Sequence, residues 1–440
     1  MSLARAQLGL LAALAATVPV SIFASEVLLT LSALLLAARI ATRAARFPTT
    51  RLDTPLVCLM VWTLLAASFA VDPARSHESA KKLVLFALFY VAAEVLSREG
   101  DRDRVLGAAL FGGLALAGLM VAQRQFLGYD HLDRRPDGFL GHYMSASGVT
   151  MGVLLLAVAR AGFGPRTRPR LVGFVVPLLV LAGVGAVAAA TAAGHGIVAT
   201  RLCVAALAAA AAALALSRRP ALRAAEAALP AVTVPVAAWA LVASQTRSAW
   251  VGALVGLAAL ALLLAPRLLW VLAAATLAVL VLRPAALTGR LTIGDASSRD
   301  RYYMWQAGLD MVLEKPVFGL GPGMVLLEYP RYRWPEATHP MQPHLHNNLL
   351  QVAAERGLPG LAFLLWWAAV ALAAAAREAK RGAAERRGPG WAATGAIAVL
   401  AAVFAAGLFE YNLGDSEVLM FSLLLTAVPF ALARERAAAA

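Results

Sequence analysis

Long runs of Leu, Ala and Val recur along nearly the whole chain, separated by short clusters rich in Arg, Gly and Pro. Of the 440 residues, 61% are hydrophobic and 15% are charged, which leaves too little polar surface to coat a soluble globule. Helices joined by tight loops produce this pattern, because a helix inside a bilayer satisfies its own backbone hydrogen bonds. We therefore expect an all-α polytopic membrane protein.

The apolar runs predict fourteen membrane-spanning segments, or twelve if weak Ala-rich segments between residues 171 and 244 merge. The first run, from Leu8 to Phe23, lacks a convincing signal-peptide cleavage site, so we interpret it as a retained helix. The segments lie near residues 7–22, 26–41, 55–70, 83–97, 104–122, 144–161, 171–190, 197–216, 229–244, 249–264, 268–284, 350–376, 391–409 and 416–433.

Basic clusters on alternate loops predict the orientation of these segments, because Lys and Arg concentrate in cytoplasmic loops. Both termini are then cytoplasmic. Topology also explains the net charge of +14 better than nucleic-acid binding does, since the basic residues form no stripe on a soluble domain. The opposite, outer face carries loops 71–82 and 123–143, the turn Gln245–Ser248, and a long loop, 286–348. This loop separates two membrane parts, 1–285 and 349–440.

The long outer loop has local signals for ordered structure. Residues 299–315 carry Tyr302, Trp305, Leu309 and Val312 at helical spacing, which predicts an amphipathic helix lying on the membrane. The sequence GLGPG at 319–323 predicts a turn with close backbone approach. Prolines keep the following stretch extended until a helix begins near His346 or Asn347.

Three histidines, His339, His344 and His346, fall within eight positions beside this helix start. Polar clusters are costly in a membrane protein unless they reach water, a protein interior or a substrate. The positive end of a helix disfavours protonation of an imidazole, so His346 is a candidate general base. An interfacial histidine without chemistry is the alternative. A zinc site is disfavoured because no nearby Cys or EXXH arrangement completes a ligand set, and we expect no metal or other cofactor.

Four arginines are candidates for binding phosphate. Arg247 separates two apolar runs on the outer face, Arg299 and Arg301 begin the predicted amphipathic helix near two aspartates, and Arg201 is an internal arginine without a local partner. Snorkelling to lipid headgroups is the alternative for Arg247. A guanidinium holds phosphate oxygens bidentately, so a base histidine with several arginines suits attack by a hydroxyl while a diphosphate leaves.

The segment from His346-Asn347 through nine residues to Gly357, Leu358-Pro359 and Gly360 resembles the signature of the O-antigen ligases. The sequence TRSAW at 246–250 and the stretch 299–323 also resemble elements of the superfamily that holds O-antigen polymerases and bacterial protein O-oligosaccharyltransferases. In the first half, only the hydropathy and the loop 134–148 are similar.

The resemblance implies a GT-C-like glycosyltransferase with about twelve spans on the Gram-negative inner membrane. It would transfer O-antigen from undecaprenyl diphosphate to a sugar hydroxyl of the lipid A core oligosaccharide at the periplasmic face, during lipopolysaccharide biosynthesis. His346 would deprotonate the acceptor, with inversion at the sugar and no metal. Diphosphate or substrate binding would fall to Arg247, Arg299, Arg301, His344, Asn347 and Arg201. Membrane lipids are further partners, and nucleic acid is not expected.

Three alternatives stay open. A polymerase would use the same donor, although the long loop is nearly charge-balanced and the His motif favours ligation. A protein O-oligosaccharyltransferase usually carries a larger C-terminal periplasmic part than this chain does. A transporter of lipid-linked sugars would place polar residues at mid-membrane within repeated halves, and no repeat is visible in the sequence.

Overall fold

The computed structural model describes residues 2–164, 171–217, 220–282, 296–385 and 390–439, and all regular secondary structure within these ranges is helical. The α-helices are α1 Leu3–Thr17, α2 Ile22–Ala41, α3 Asp53–Ser68, α4 Pro73–Ala80, α5 Ala87–Val95, α6 Glu99–Phe126, α7 Tyr143–Phe163, α8 Val175–Ala192, α9 Gly196–Leu216, α10 Pro220–Ala243, α11 Arg247–Leu264, α12 Leu268–Leu282, α13 Ala296–Glu314, α14 Val325–Tyr332, α15 Asn348–Glu385, α16 Gly390–Ala406 and α17 Ser416–Ala439. Short 3-10 helices cover Lys81–Phe86, Leu171–Phe174 and Asn412–Gly414.

Each of the fourteen predicted apolar segments coincides with a helix, so the helical class is confirmed. Within the described residues, seven helices are long and apolar enough to cross a membrane, and six shorter apolar helices accompany them. The expected count of twelve to fourteen spans stays a prediction. The seven are Ile22–Ala41, Glu99–Phe126, Tyr143–Phe163, Val175–Ala192, Gly196–Leu216, Asn348–Gly382 and Ser416–Ala438.

Helices α6, α7, α16 and α17 form the buried centre of the helical bundle, whereas α2, α8 and α9 leave most of their apolar side chains exposed. Small residues permit the close packing at the centre. A Cβ atom on Gly112 of α6 would lie 2.0 Å from the carbonyl oxygen of Ala16, and one on Gly113 would lie 2.4 Å from Val153. Close backbone approach of this kind stabilises helix pairs where lipid supplies no hydrophobic driving force.

Helix α15 contains the predicted span over 350–376, but it is kinked at Gly357, a break that the sequence analysis did not predict. Gly357 has φ 67° and ψ −179°, and a Cβ atom there would lie 1.9 Å from the carbonyl oxygen of Val317. Pro359, two residues later, has no N–H to donate back to the carbonyl of Glu355. The kink therefore leaves backbone carbonyls in the first turns of α15 without their helical partners.

The GLGPG turn supplies the missing partners at this kink. The N–H of Leu320 donates to the carbonyl of Ala354 at 2.8 Å, and the N–H of Gly321 donates to the carbonyl of Glu355 at 3.0 Å. The N–H of Leu358 turns to the carbonyl of Pro316, also at 2.8 Å. The predicted close backbone approach at 319–323 is confirmed, and its partner is the broken segment of α15.

Residues 296–347 form an outer module, in which α13 and α14 pack around a small core of their own. The predicted helix at 299–315 is confirmed as α13, but the predicted apolar face is only partly buried. Met304, Ala307 and Met311 face the module core, whereas Tyr302 and Leu309 are exposed. Packing against the GLGPG turn and α15 selects this face, a choice that helical spacing alone does not make.

Candidate functional site

His346 lies just before α15 in an unusual backbone conformation. Its φ is +49°, a left-handed value that non-glycine residues rarely adopt. Helix α15 begins at Asn348, and the Oδ1 atom of Asn347 caps it by accepting from the N–H of Leu350 at 3.0 Å. The predicted helix start is thus correct to within one or two residues, and His346 precedes the cap.

The side chain of His346 is paired with Glu410, a residue that the sequence analysis missed. Its Nδ1 atom lies 3.0 Å from both carboxylate oxygens, and Glu410 is only 5% exposed. Burial raises the pKa of the Glu410 carboxyl, but the hydrogen bond with His346 and the nearby His344 and Arg301 outweigh it and hold that pKa below its ordinary value. An ionised carboxylate only accepts, so Nδ1 carries the proton and Nε2 is left able to take one.

His344 completes a compact cluster with this pair. Its ring packs edge-on against that of His346, with centroids 4.3 Å apart, and its Nδ1 atom lies 3.8 Å from Glu410 Oε1. Burial, reinforced by His346, lowers the pKa of His344 to about 4, so this imidazole is neutral near pH 7. His339 is exposed and lies 3.8 Å from Asp300, outside the cluster.

The same three side chains are arranged so that they could hold a metal ion. One ligand atom from each of His344, His346 and Glu410 lies within 4.8 Å of the others. Two imidazoles and a carboxylate are a known zinc ligand set, and Glu410 is the third ligand that was missing from the sequence analysis. Our expectation that no metal binds here stays a prediction.

Arg301 lies at the edge of the cluster, and Arg135 lies near Arg301. Arg301 of α13 places Nη2 3.9 Å from Glu410 Oε2. Arg135, from the loop between α6 and α7, stacks on the ring of Tyr143 with 3.4 Å between Cζ and the ring centroid. Burial lowers the pKa of Arg135, Tyr143 opposes this, and the charge of Arg301 lowers it further. Arg135 was not predicted as a site residue from the sequence, although it lies in the loop 134–148, which resembles the superfamily.

The other predicted binding residues have different surroundings. Arg247 is the first residue of α11, and Arg299 is exposed in the first turn of α13. The amide of Asn347 is engaged within the protein, since Nδ2 donates to the carbonyl of Leu408 at 3.0 Å while Oδ1 caps α15. Whether these residues bind substrate stays a prediction.

Arg201 lies near the start of α9 and lines a groove against α2 and the loop after α6. Phe23 and Phe139 line the same groove, which is mostly apolar. Among the described residues, none that lines this groove also lines the cavity beside His344. Arg201 therefore lines a groove separate from the cavity beside His344.

A cavity of about 360 Å³ opens beside His344 between α3, α15 and the loop 407–415. Both polar and apolar side chains line it, and the polar ones include Lys82, Gln351, Glu355, Arg356, Tyr411 and Asp415. Burial raises the pKa of Tyr411 to about 12, and burial also raises the pKa of Asp415 above its ordinary value. A volume of this order is typical of small-molecule sites, and its mixed lining suits a ligand with polar and apolar parts.

Comparison with known proteins adds one result. Residues 232–365 match the sequence profile of the protein family described as O-antigen ligase. A search of curated proteins finds no match. The matched range contains Arg301, His344, His346 and the kink at Gly357, whereas Arg135 and Glu410 lie outside it. Over residues 232–365 the chain is therefore similar to the O-antigen ligase family.

Proposed function

We propose that this protein is an O-antigen ligase that transfers polysaccharide from undecaprenyl diphosphate to a sugar hydroxyl of the lipid A core oligosaccharide. The superfamily match supports ligase- or polymerase-type glycosyl transfer in general. The observation that carries the specific proposal is the His346–Glu410 pair, which lies beside Arg301 at a loop predicted to face the periplasm, with Arg135 near Arg301.

In this mechanism His346 acts as a general base. Glu410 holds the protonated Nδ1, and Nε2 accepts the proton of the acceptor hydroxyl as its oxygen attacks the anomeric carbon of the donor sugar. The bond from that carbon to the diphosphate oxygen breaks on the opposite side, so the configuration inverts. A positioned general base contributes about 10²- to 10⁴-fold to a rate. The Glu410 carboxylate then stabilises the imidazolium that forms.

Arg301 and Arg135 would bind the departing diphosphate. Negative charge grows on this group as the sugar leaves, and preorganised guanidinium groups stabilise it without reorganising solvent. Neutral His344 can accept or donate a hydrogen bond to a substrate without adding a third positive charge beside the base. Arg247 and Arg299 are further candidates for the same diphosphate, as predicted from the sequence.

The proposed setting is the inner membrane of a Gram-negative cell. The basic clusters support cytoplasmic termini, with the 286–348 loop outside and membrane parts 1–285 and 349–440 on either side of it. His346 and the 407–415 loop with Glu410 then lie on the same, periplasmic side. Donor and acceptor lipids both reach this face from the bilayer.

The test is reconstitution in detergent with lipid-linked O-antigen as donor and lipid A core as acceptor. We expect wild-type protein to form polysaccharide-bearing lipid A core, with and without EDTA, and His346→Ala to lose this activity. His339→Ala, which changes the exposed neighbouring histidine, serves as the matched control. Full transfer by His346→Ala would overturn the mechanism, and loss of wild-type transfer in EDTA would overturn its metal independence.

A deletion strain separates the proposal from the two related activities. Loss of a ligase leaves long polymer on undecaprenyl diphosphate, whereas loss of a polymerase leaves single repeats. Loss of glycans from pilin-like proteins would identify a protein O-oligosaccharyltransferase. We expect long polymer on the lipid carrier and unchanged protein glycans.

A further inference from the structure

The GLGPG turn and α15 meet at one buried carboxylate, that of Glu355 in the second turn of α15. Its Oε1 atom accepts from the N–H of Gly323 at 2.9 Å and from Gln351 Nε2 at 2.8 Å. Its Oε2 atom accepts from Arg356 Nη1 at 3.0 Å. Glu355 is 3% exposed, so these bonds replace the water that a carboxylate would otherwise bind.

Gln351 extends this network to the residue directly before His346. Its Oε1 atom accepts from the N–H of Leu345 at 2.7 Å. The carbonyl of Leu345 in turn accepts from Trp305 Nε1 at 3.0 Å, and Leu345 is fully buried. Both backbone polar groups of Leu345 are therefore fixed by side chains of α13 and α15.

This attachment matters because the next residue is strained. A non-glycine residue in a left-handed conformation costs about 1–3 kcal/mol and persists only where its surroundings over-determine it. If Leu345 were released, His346 could relax to a common backbone conformation. Its imidazole would then move away from Glu410, which is anchored on a different segment between α16 and α17.

We propose that Glu355 is a positioning residue for catalysis: it orients Gln351, and Gln351 holds Leu345 so that His346 stays against Glu410. The hydrogen bond from the N–H of Gly323 to Glu355 attaches the GLGPG turn to this hydrogen-bond network. This role rests on the proposed function of His346. Among the described residues, no hydrogen bond joins Glu355 to His346 or to Glu410.

A single replacement of Glu355 would not test this role, because it leaves the buried Arg356 charge without its carboxylate, with only Tyr411 as a hydrogen-bond partner, and destabilises the fold. Replacing both members of a buried ion pair by apolar residues is often neutral for stability. Two double variants are therefore compared. Glu355→Gln with Arg356→Leu keeps an amide oxygen for Gly323 and Gln351, and Glu355→Leu with Arg356→Leu removes it. They differ only at position 355.

The variants are assayed in detergent for kcat, KM and thermal unfolding, together with wild type and Gln351→Leu. We expect kcat of the Glu355→Gln, Arg356→Leu variant to stay within a few fold of wild type. The Glu355→Leu, Arg356→Leu variant and Gln351→Leu should each lose about 100-fold in kcat with KM unchanged, because a misplacement of the His346 imidazole by about 1 Å costs this much. A purely structural ion pair would lower the unfolding temperature and would not change kcat selectively.

Equal kcat values in the two double variants would overturn the proposal, whether both match wild type or both are impaired. Full activity of Gln351→Leu, in which the Glu355–Arg356 pair is intact, would overturn it as well, even if the Glu355→Leu, Arg356→Leu variant fails to fold. His346→Ala is measured in parallel. Full transfer by that variant would refute the proposed function itself, whereas its inactivity beside a fully active Gln351→Leu would refute only the positioning role.

Discussion

His346 combines a costly backbone conformation with a carboxylate partner on its side chain. The carboxylate fixes one ring nitrogen as a donor, so the other is the only ring atom able to accept a proton. A neutral partner at position 410 would accept the same hydrogen bond but would not stabilise the imidazolium formed in the reaction. Charge at Glu410 is therefore the property to test.

Glu410→Gln should reduce kcat by about 10²- to 10⁴-fold, the contribution of a working general base, and leave KM nearly unchanged. Reconstituted transfer under saturating donor measures this. Glu336→Gln, at an exposed position of the outer module, controls for loss of a carboxylate. Wild-type kcat in Glu410→Gln would show that His346 works without this partner.

His344 should make the folded protein sensitive to acid. Burial lowers its pKa from 6.5 to about 4, so between these pH values the unfolded chain binds a proton there that the folded chain does not. The contribution of neutral His344 to the free energy of unfolding is fully present above pH 6.5, and it decreases as the pH drops towards 4. When the pH is lowered from 7 to 5, we expect the unfolding temperature of His344→Asn to fall less than that of wild type. His131→Asn, an exposed site, should behave as wild type does.

At the scale of elements, the kink in α15 organises the site. It turns the start of the helix towards the GLGPG turn and places Gln351 and Glu355 against the outer module. Hydropathy located this helix because its composition after the kink is strongly apolar. It did not predict the break, because the N–H groups that bind the freed carbonyls lie in another segment, about 35 residues earlier.

Gly357→Ala should destabilise the protein and lower transfer at least about tenfold. The added Cβ would lie 1.9 Å from the carbonyl of Val317, at a φ of 67° that costs a residue with a Cβ about 1–3 kcal/mol. Thermal unfolding and kcat are measured together. Gly100→Ala, whose Cβ would meet nothing within 4 Å, should leave both values near wild type. Similar results for the two variants would contradict the role of the kink.

For the whole molecule, the orientation in the membrane decides whether the site faces the periplasm. Loop 123–143, which carries Arg135, should lie outside, and the loop between α2 and α3 should lie inside. In a background with Cys58 and Cys203 replaced by Ser, Leu132→Cys should react with a membrane-impermeant maleimide in intact cells. Arg46→Cys should react only after lysis, and the reverse pattern would invert the topology.

The amino-acid sequence alone determined the helical class, the positions of the apolar helices and the GLGPG turn, and it marked His346 as the candidate base. These features depend on local composition, hydropathy and spacing. Only the tertiary structure decided that Glu410, 64 residues after His346, is its partner, and that Arg135 lies near Arg301. Pairings between distant segments follow from how helices pack and where a helix breaks, and no local pattern in the chain specifies them.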